Sequence, residues 1–161
     1  LDHLVRSGPD VVVHLLVVGT GDLEPDCRAA VAAGNLPVSF AGFLNQSEMP
    51  AAYGAADALV LPSDHGETWG LVVNEAMACG LPAIVSDLVG CAEDLVLPGR
   101  TGLVVPFGDA GALATAMASM AADPAAAAAM GREARSLVQR DYTIERAAKG
   151  IVAGVQRVLE P

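Results

Sequence analysis

The sequence predicts an α/β fold in which a parallel β-sheet is covered on both faces by helices. Three observations predict it. Short β-branched runs alternate with longer segments of helical periodicity along the chain, the order that parallel crossover connections require. The first run, Val11–Val18, is apolar at every position but His14, as a strand buried on both faces must be. Successive segments are separated by Gly, Pro, Asn and Ser, the residues that end helices and open turns.

Taken in order, Val11–Val18 is the first strand, closed by Gly19-Thr20-Gly21. A helix follows over Glu24–Ala33 and stops at Gly34-Asn35, two residues that tolerate the left-handed turn of a helix end. Pro37–Gly42 is a second strand. Gln46–Ala56 is helical, with Ser47 as its N-cap, and Ala58–Leu61 is a third strand closed by Pro62-Ser63. After the loop Asp64–Glu67 a helix runs from about Leu71 to Cys79, where Gly80-Leu81-Pro82 stops it. Ala83–Ser86 and Gly102–Val105 are the fourth and fifth strands. Asp109 caps a helix to about Ala122; Asp123 caps another that Pro124 opens, with Ala125–Ala129 as good helix former. The last helix, Thr143–Leu159, sets Ile144, Ala147, Ala148, Ile151 and Val155 on one stripe. One sheet of five or six parallel strands results. Ligands of such sheets bind beyond the carboxyl ends of the strands, so the loops there are the candidate site.

Composition bounds the function. The 161 residues are one domain's worth, and at 53 % hydrophobic they hold enough apolar material for a core without disulfide or metal support. Aromatics are only 4 %, so Ala, Val and Leu must build that core. A formal charge of -10 leaves no basic face for nucleic acid or an anionic membrane. No apolar run reaches the roughly 18 residues of a membrane span. Cys27, Cys79 and Cys91 have no metal-ligand spacing and do not cluster with His3, His14 or His65. They read as reduced, mostly buried thiols of a cytoplasmic chain. With no Met at its start and no basic leader, the sequence reads as a piece of something longer.

The chemistry concentrates in Pro62–Pro82. Glu67 lies in the loop after the third strand, and Glu75 lies about one turn into the following helix. Helical side chains lean toward the N-terminus, so Glu75 reaches back toward the cleft that holds Glu67. Between them, Gly70, Leu71 and Val72 stand where a helix presents unpaired N–H groups and a partial positive charge. Two carboxylates that accept from hydroxyls beside an anion-accepting backbone suit a ligand with sugar hydroxyls at both ends and a phosphate between.

Glu67-Thr-Trp-Gly-Leu-Val-Val-Asn-Glu75-Ala-Met-Ala-Cys-Gly resembles the Glu-x7-Glu motif of retaining glycosyltransferases with the GT-B fold, the group 1 or family 4 type. Other pieces follow in the family's order. They are Leu16–Gly21, Val38–Phe43, Ala55–Ala58 with the Pro-Ser pair, Gly90–Glu93 and Gly99–Val104. The resemblance implies a Rossmann-like three-layer sandwich, the C-terminal half of a GT-B fold, over residues 1–161. It implies that Glu75 accepts from ribose hydroxyls and Glu67 from the hexose. It implies that Trp69, Gly70, Leu71 and Val72 lie by the sugar and diphosphate. Gly19 and Gly21 would admit the nucleotide, and Phe43 and Leu44 would border its base. The partners implied are a nucleotide-diphosphate sugar donor and an N-terminal acceptor domain of the same protein. The expected donor is a substrate, with no cofactor and no metal. The family's first strand carries an Arg and a Lys that grip the diphosphate, and Arg6 does not fit that pattern. The fragment alone is therefore expected to be inactive, and the whole enzyme to be cytoplasmic, with any membrane-peripheral attachment made through the other domain.

Plainer readings stand beside these. Glu75 on its own is a solvated helix residue, Glu67 a loop carboxylate, and Gly19 with Gly21 a tight strand-to-helix turn. His14 reads as a core histidine, His65 as a solvated loop residue, Cys79 as a small packing residue, and Glu93 as a cap or a ligand contact. A nucleotide-sugar epimerase or a phosphorylase on the same fold is the rival within enzymes. A non-catalytic nucleotide-binding Rossmann module is the rival outside them. A dinucleotide reader needs a third Gly where the sequence has Asp22-Leu23-Glu24, and a phosphoacceptor receiver needs an acidic cluster with a strand-end Asp and a distal Lys, whereas Lys149, the only Lys, lies in the last helix.

Overall fold

The computed structural model describes residues 12–159. The elements alternate as β1 (Leu15–Val18), α1 (Glu24–Gly34), β2 (Val38–Gly42), α2 (Met49–Gly54), β3 (Leu59–Leu61), α3 (Leu71–Ala78) and β4 (Ala83–Ser86). They continue as α4 (Ala92–Leu95), β5 (Gly102–Val105), α5 (Ala110–Ala122), α6 (Pro124–Asp141) and α7 (Ile144–Leu159). All strand pairs are parallel. The α/β class and the alternation are as expected. The single sheet is not: β1 pairs with β2, and β3-β4-β5 form a separate sheet. Val11 lies outside the described residues; Val12–His14 are described and are not strand, so β1 starts at Leu15, later than the expected Val11–Val18.

The division into two sheets explains two further departures. β1 was expected to be buried on both faces, yet Leu16 is exposed and its neighbours are only half-buried. Among the described residues β1 has β2 as its sole strand partner, and α1 buries none of its residues. His14 was expected in the core; it lies exposed, its Nε2 2.9 Å from the hydroxyl of Ser39 on the neighbouring strand. The three-stranded sheet carries the core. Every residue of β4 is buried, between Val73, Met77, Leu95, Ala134 and Val138 on one side and Met120 and Ala127 on the other. Small aliphatics do build it, as the scarcity of aromatics requires.

Local signals set most boundaries. The Asp109 carboxylate accepts from the Ala112 N–H and that of Asp123 from the Ala126 N–H, so both N-caps form as read. Asn35 ends α1 with φ 46°, and Gly80 follows α3 with φ 89°. The cap before α2 is not Ser47. Asn45 Oδ1 accepts from the Ser47 N–H, while Glu48 Oε2 accepts from the Asn45 N–H, a reciprocal pair that starts the turn two residues earlier. The helix proper then begins only at Met49. Two of the three cysteines, Cys27 and Cys79, are exposed and only Cys91 is buried. Cys27 lies on α1, which buries nothing, and Cys79 is the exposed C-cap of α3.

α6 lies on α3 and the turn after it. A Cβ at Gly131 of α6 would overlap the Gly80 carbonyl oxygen and crowd Pro82. The last helix stands apart. No residue of α7 is buried, and Ile144 (85 % exposed), Ile151 (69 %) and Val155 (53 %) leave the expected apolar stripe open. Gly131→Ala is expected to destabilise the chain by about 1–3 kcal/mol through forced backbone separation. Gly150→Ala, with open space around its Cβ in α7, should cost nothing. Thermal melts of the two variants make the comparison.

Candidate functional site

The site is built at the carboxyl end of β3, where the loop 62–70 leads into α3. Ser86 at the end of β4 donates its buried hydroxyl to the Ser63 carbonyl, tying the start of the loop to the sheet. The segment after β4 ties down its end. Gly90 N–H donates to the Glu67 carbonyl at 3.4 Å and Cys91 N–H to the Trp69 carbonyl at 2.8 Å. A Cβ on Gly90 would overlap the Thr68 carbonyl oxygen, so only Gly permits this approach. Gly70 is needed twice over. Its φ is 97°, and a Cβ there would lie 3.0 Å from a Val89 methyl and 3.2 Å from Cys91 Sγ.

Glu67 is half-buried, and its Oε1 accepts from the Gly70 N–H at 2.9 Å. It thus supports the start of α3 by charge as well as by hydrogen bond, in the place an N-cap side chain takes. The Gly70 amide is therefore engaged, and its carbonyl accepts from Val73 N–H at 2.8 Å. Among the described residues the N–H groups of Leu71 and Val72 have no protein acceptor. Those two remain the outward donors of the helix terminus. Trp69 is half-buried against the core, as expected, with Nε1 donating to Asn74 Oδ1 at 2.8 Å and its ring 6.3 Å from that of Tyr142. Trp69, Asn74, Asp141, Tyr142, Thr143, Arg146 and Ala147 line an open cleft of about 360 Å³.

Glu75 is exposed on α3, and the Tyr53 hydroxyl donates to its Oε2 at 2.8 Å. Tyr53 was not singled out by sequence. A buried Tyr needs a partner for its hydroxyl, and that rule was the available signal, though the sequence offers no hint which acceptor it meets. Burial first, and the Glu75 carboxylate second, hold the Tyr53 hydroxyl well above its ordinary pKa.

The residues expected on the nucleotide side form a second group. Gly19, with φ 109°, donates its N–H to the Gly42 carbonyl at 2.7 Å, so the ends of β1 and β2 lie together. Gly19 and Gly21 have open space where a Cβ would stand. Phe43 is 75 % exposed, and Leu44 is half-buried. No hydrogen bond among the described residues joins this group to Glu67–Glu75. His65 and Glu93 are exposed. Among the described residues no three His, Cys, Asp or Glu side chains are arranged to hold a metal.

Parallel strands with helical crossovers and a glycine-shaped loop at the carboxyl end of β3 define a Rossmann-like α/β domain. The family follows from comparison. The sequence profile described as "Glycosyl transferases group 1" matches residues 1–123, and the chain belongs to that family. It is 32 % identical over 155 residues to a GDP-mannose-dependent monoacylated alpha-(1-6)-phosphatidylinositol monomannoside mannosyltransferase of Corynebacterium glutamicum, across 89 % of this chain and 40 % of the relative. A solved sucrose-phosphate synthase from Thermosynechococcus elongatus superposes with a TM-score of 0.81 at 34 % identity, over 98 % of this chain and 41 % of that one. Anabaena HepE, solved in complex with UDP-glucose, superposes with a TM-score of 0.81 at 22 % identity, over 98 % of this chain and 44 % of that one. The fold is that of the C-terminal half of a GT-B glycosyltransferase, and the chain spans about two fifths of the length of these proteins. No helix among the described residues is long and apolar enough to cross a membrane.

Cys91 gives the site a built-in reporter. Burial pushes its thiol up to about 11 from an ordinary value of 9.0. A thiol reagent near pH 8 should label Cys27 and Cys79 in the folded chain and reach Cys91 only in denaturant, which a timed labelling assay reads out. The folded state prefers the neutral thiol. This contribution to stability is therefore whole below pH 9.0 and is lost as the pH rises through about 11. Denaturant melts across that window check the sign.

Proposed function

We propose that this chain is the donor-binding half of a retaining hexosyltransferase that moves a sugar from a nucleotide-diphosphate sugar to an acceptor hydroxyl. The observation that carries the reading is the start of α3. Among the described residues the Leu71 and Val72 N–H groups have no protein acceptor there, and in sequence they stand between Glu67, which holds the Gly70 amide, and Glu75, which accepts from Tyr53. In this reading the diphosphate sits on those two amides and on the helix dipole, which stabilise the charge that grows as the leaving group departs. Glu75 accepts from the ribose hydroxyls. Glu67 offers Oε2 to the hexose, its other oxygen being held by Gly70. Trp69 and Gly70 border the sugar through backbone. Gly19 and Gly21 admit the nucleotide, and the exposed Phe43 with Leu44 borders its base. The names of the relatives support the substrate class: one uses GDP-mannose, another was solved with UDP-glucose. They differ in both base and hexose, so the class alone is proposed. The donor is a substrate, and the step proposed invokes neither cofactor nor metal.

An N-terminal acceptor domain of the same protein completes the enzyme and excludes water from the closed cleft. Two features support it. The apolar stripe of α7 has no partner within the described residues, and the longer relatives have room for such a domain. A first strand carrying the basic pair for the diphosphate belongs to the same whole, and the division into two parallel sheets supports a strand from outside the described residues. The enzyme would act in the cytoplasm, with any membrane attachment made through the acceptor half.

Glu75→Gln in the full-length protein is expected to weaken nucleotide-sugar binding by about 1.5–3 kcal/mol, roughly 10- to 150-fold, as charge-assisted bonds to hydroxyls are lost. Calorimetric titration measures the affinity. An unchanged affinity with a lowered melting temperature would make Glu75 structural. The 161-residue chain by itself is expected to transfer no sugar. Without an acceptor domain it forfeits up to roughly 7–11 kcal/mol of orientation. Incubation with labelled nucleotide sugars and lipid or glycan acceptors tests this, and robust transfer by the chain alone would refute it.

A further inference from the structure

We infer that Tyr53 is the positioning residue that aims Glu75 at the nucleotide's ribose. The inference rests on the proposed ribose contact of Glu75 and adds how that contact is made.

Glu75 stands exposed on α3, where a free carboxylate samples several rotamers. Among the described residues one hydrogen bond restrains its carboxylate, the Tyr53 hydroxyl donating to Oε2 at 2.8 Å. Tyr53 itself is fixed. It is 6 % exposed on α2, packed with Ala76 of α3 and with Leu81, Met49 and Leu59. Burial keeps its hydroxyl protonated, so it remains a donor wherever the protein is folded. It supplies one proton to one carboxylate oxygen and leaves Oε1 for the ligand.

The path from the base side is short. The chain passes from Phe43 and Leu44 through the Asn45–Glu48 cap into α2, which presents Tyr53 ten residues after Phe43. The segment proposed to border the base and the residue that holds the ribose carboxylate thus belong to one capped unit.

Tyr53→Phe removes the donor and keeps the ring in its packing. The probes are uridine and guanosine diphosphates, with their 2′,3′-dideoxy counterparts, titrated against the full-length protein. With whichever diphosphate binds, Tyr53→Phe should raise the dissociation constant about 3- to 10-fold while the value for its dideoxy counterpart moves less than about two-fold. Glu75→Gln should show the same selective loss. The double variant should lose no more than Glu75→Gln alone, because Tyr53 acts through Glu75. Equal weakening toward both nucleotides by Tyr53→Phe, no weakening, or additive losses in the double variant overturn the inference. If Glu75→Gln itself fails to distinguish ribose from dideoxyribose, the ribose reading of Glu75 falls first, and the role of Tyr53 with it.

Discussion

The contact on which the site depends is the seating of residues 89–91 against the loop 67–70. Two backbone hydrogen bonds join them, from Gly90 to Glu67 and from Cys91 to Trp69. Backbone donors and acceptors taken from water must be paired, and here each strand-end loop pairs the other. The approach is so close that Gly90 and Gly70 have no room for a side chain. Once the loop is held, Gly70 can turn through its left-handed conformation and Glu67 falls within reach of the Gly70 amide. The first turn of α3 is then fixed in direction, and with it the two amides left pointing outward.

That turn is backed by the densest part of the core. Val73, Ala76 and Met77 of α3 are fully buried, Val73 and Met77 in one cluster with Ala134 and Val138 of α6 and Ala76 in another with Tyr53 of α2. A helix terminus contributes to anion binding through aligned dipoles, and its value rises when nothing has to reorganise on binding. The rigid backing supplies that condition. The outer elements differ: α1 and α7 bury nothing and the β1–β2 pair is only half-buried. The chain is thus firm where the proposed sugar and diphosphate sit and lightly covered around Phe43, where the base is placed.

Two carboxylates of similar sequence setting end in different duties. Glu67 gives one oxygen to its own loop, so the hexose contact proposed for it would fall to the other. Glu75 has no such local partner and is held from another helix through Tyr53. The arrangement leaves one oxygen of each free. It also separates the two roles by what fixes them: backbone for Glu67, a packed side chain for Glu75.

Most of what depended on neighbours along the chain was legible in the sequence, the Asn45–Glu48 cap before α2 being the exception. The caps at Asp109 and Asp123, the stop at Gly80, and the bounds of β4 and β5 follow from side chains acting on backbone three or four residues away. The Glu-x7-Glu spacing likewise put Glu67 in the loop before α3 and Glu75 on the helix itself, since a helix fixes its own geometry. What depended on distant neighbours was not. The apolar run at Leu15–Val18 says that the strand could be buried, but its burial depends on what lies beside it, and among the described residues β2 is its only strand partner. His14 followed that strand to the surface, and Cys27 lies on a helix that buries nothing. Tyr53 and Glu75 are 22 positions apart and meet only because α2 and α3 pack side by side, and Gly90 reaches Thr68 from the far side of β4. Periodicity and capping act over a turn or two of backbone, whereas such pairings arise only when separate elements share a core, which is why tertiary structure alone decided them.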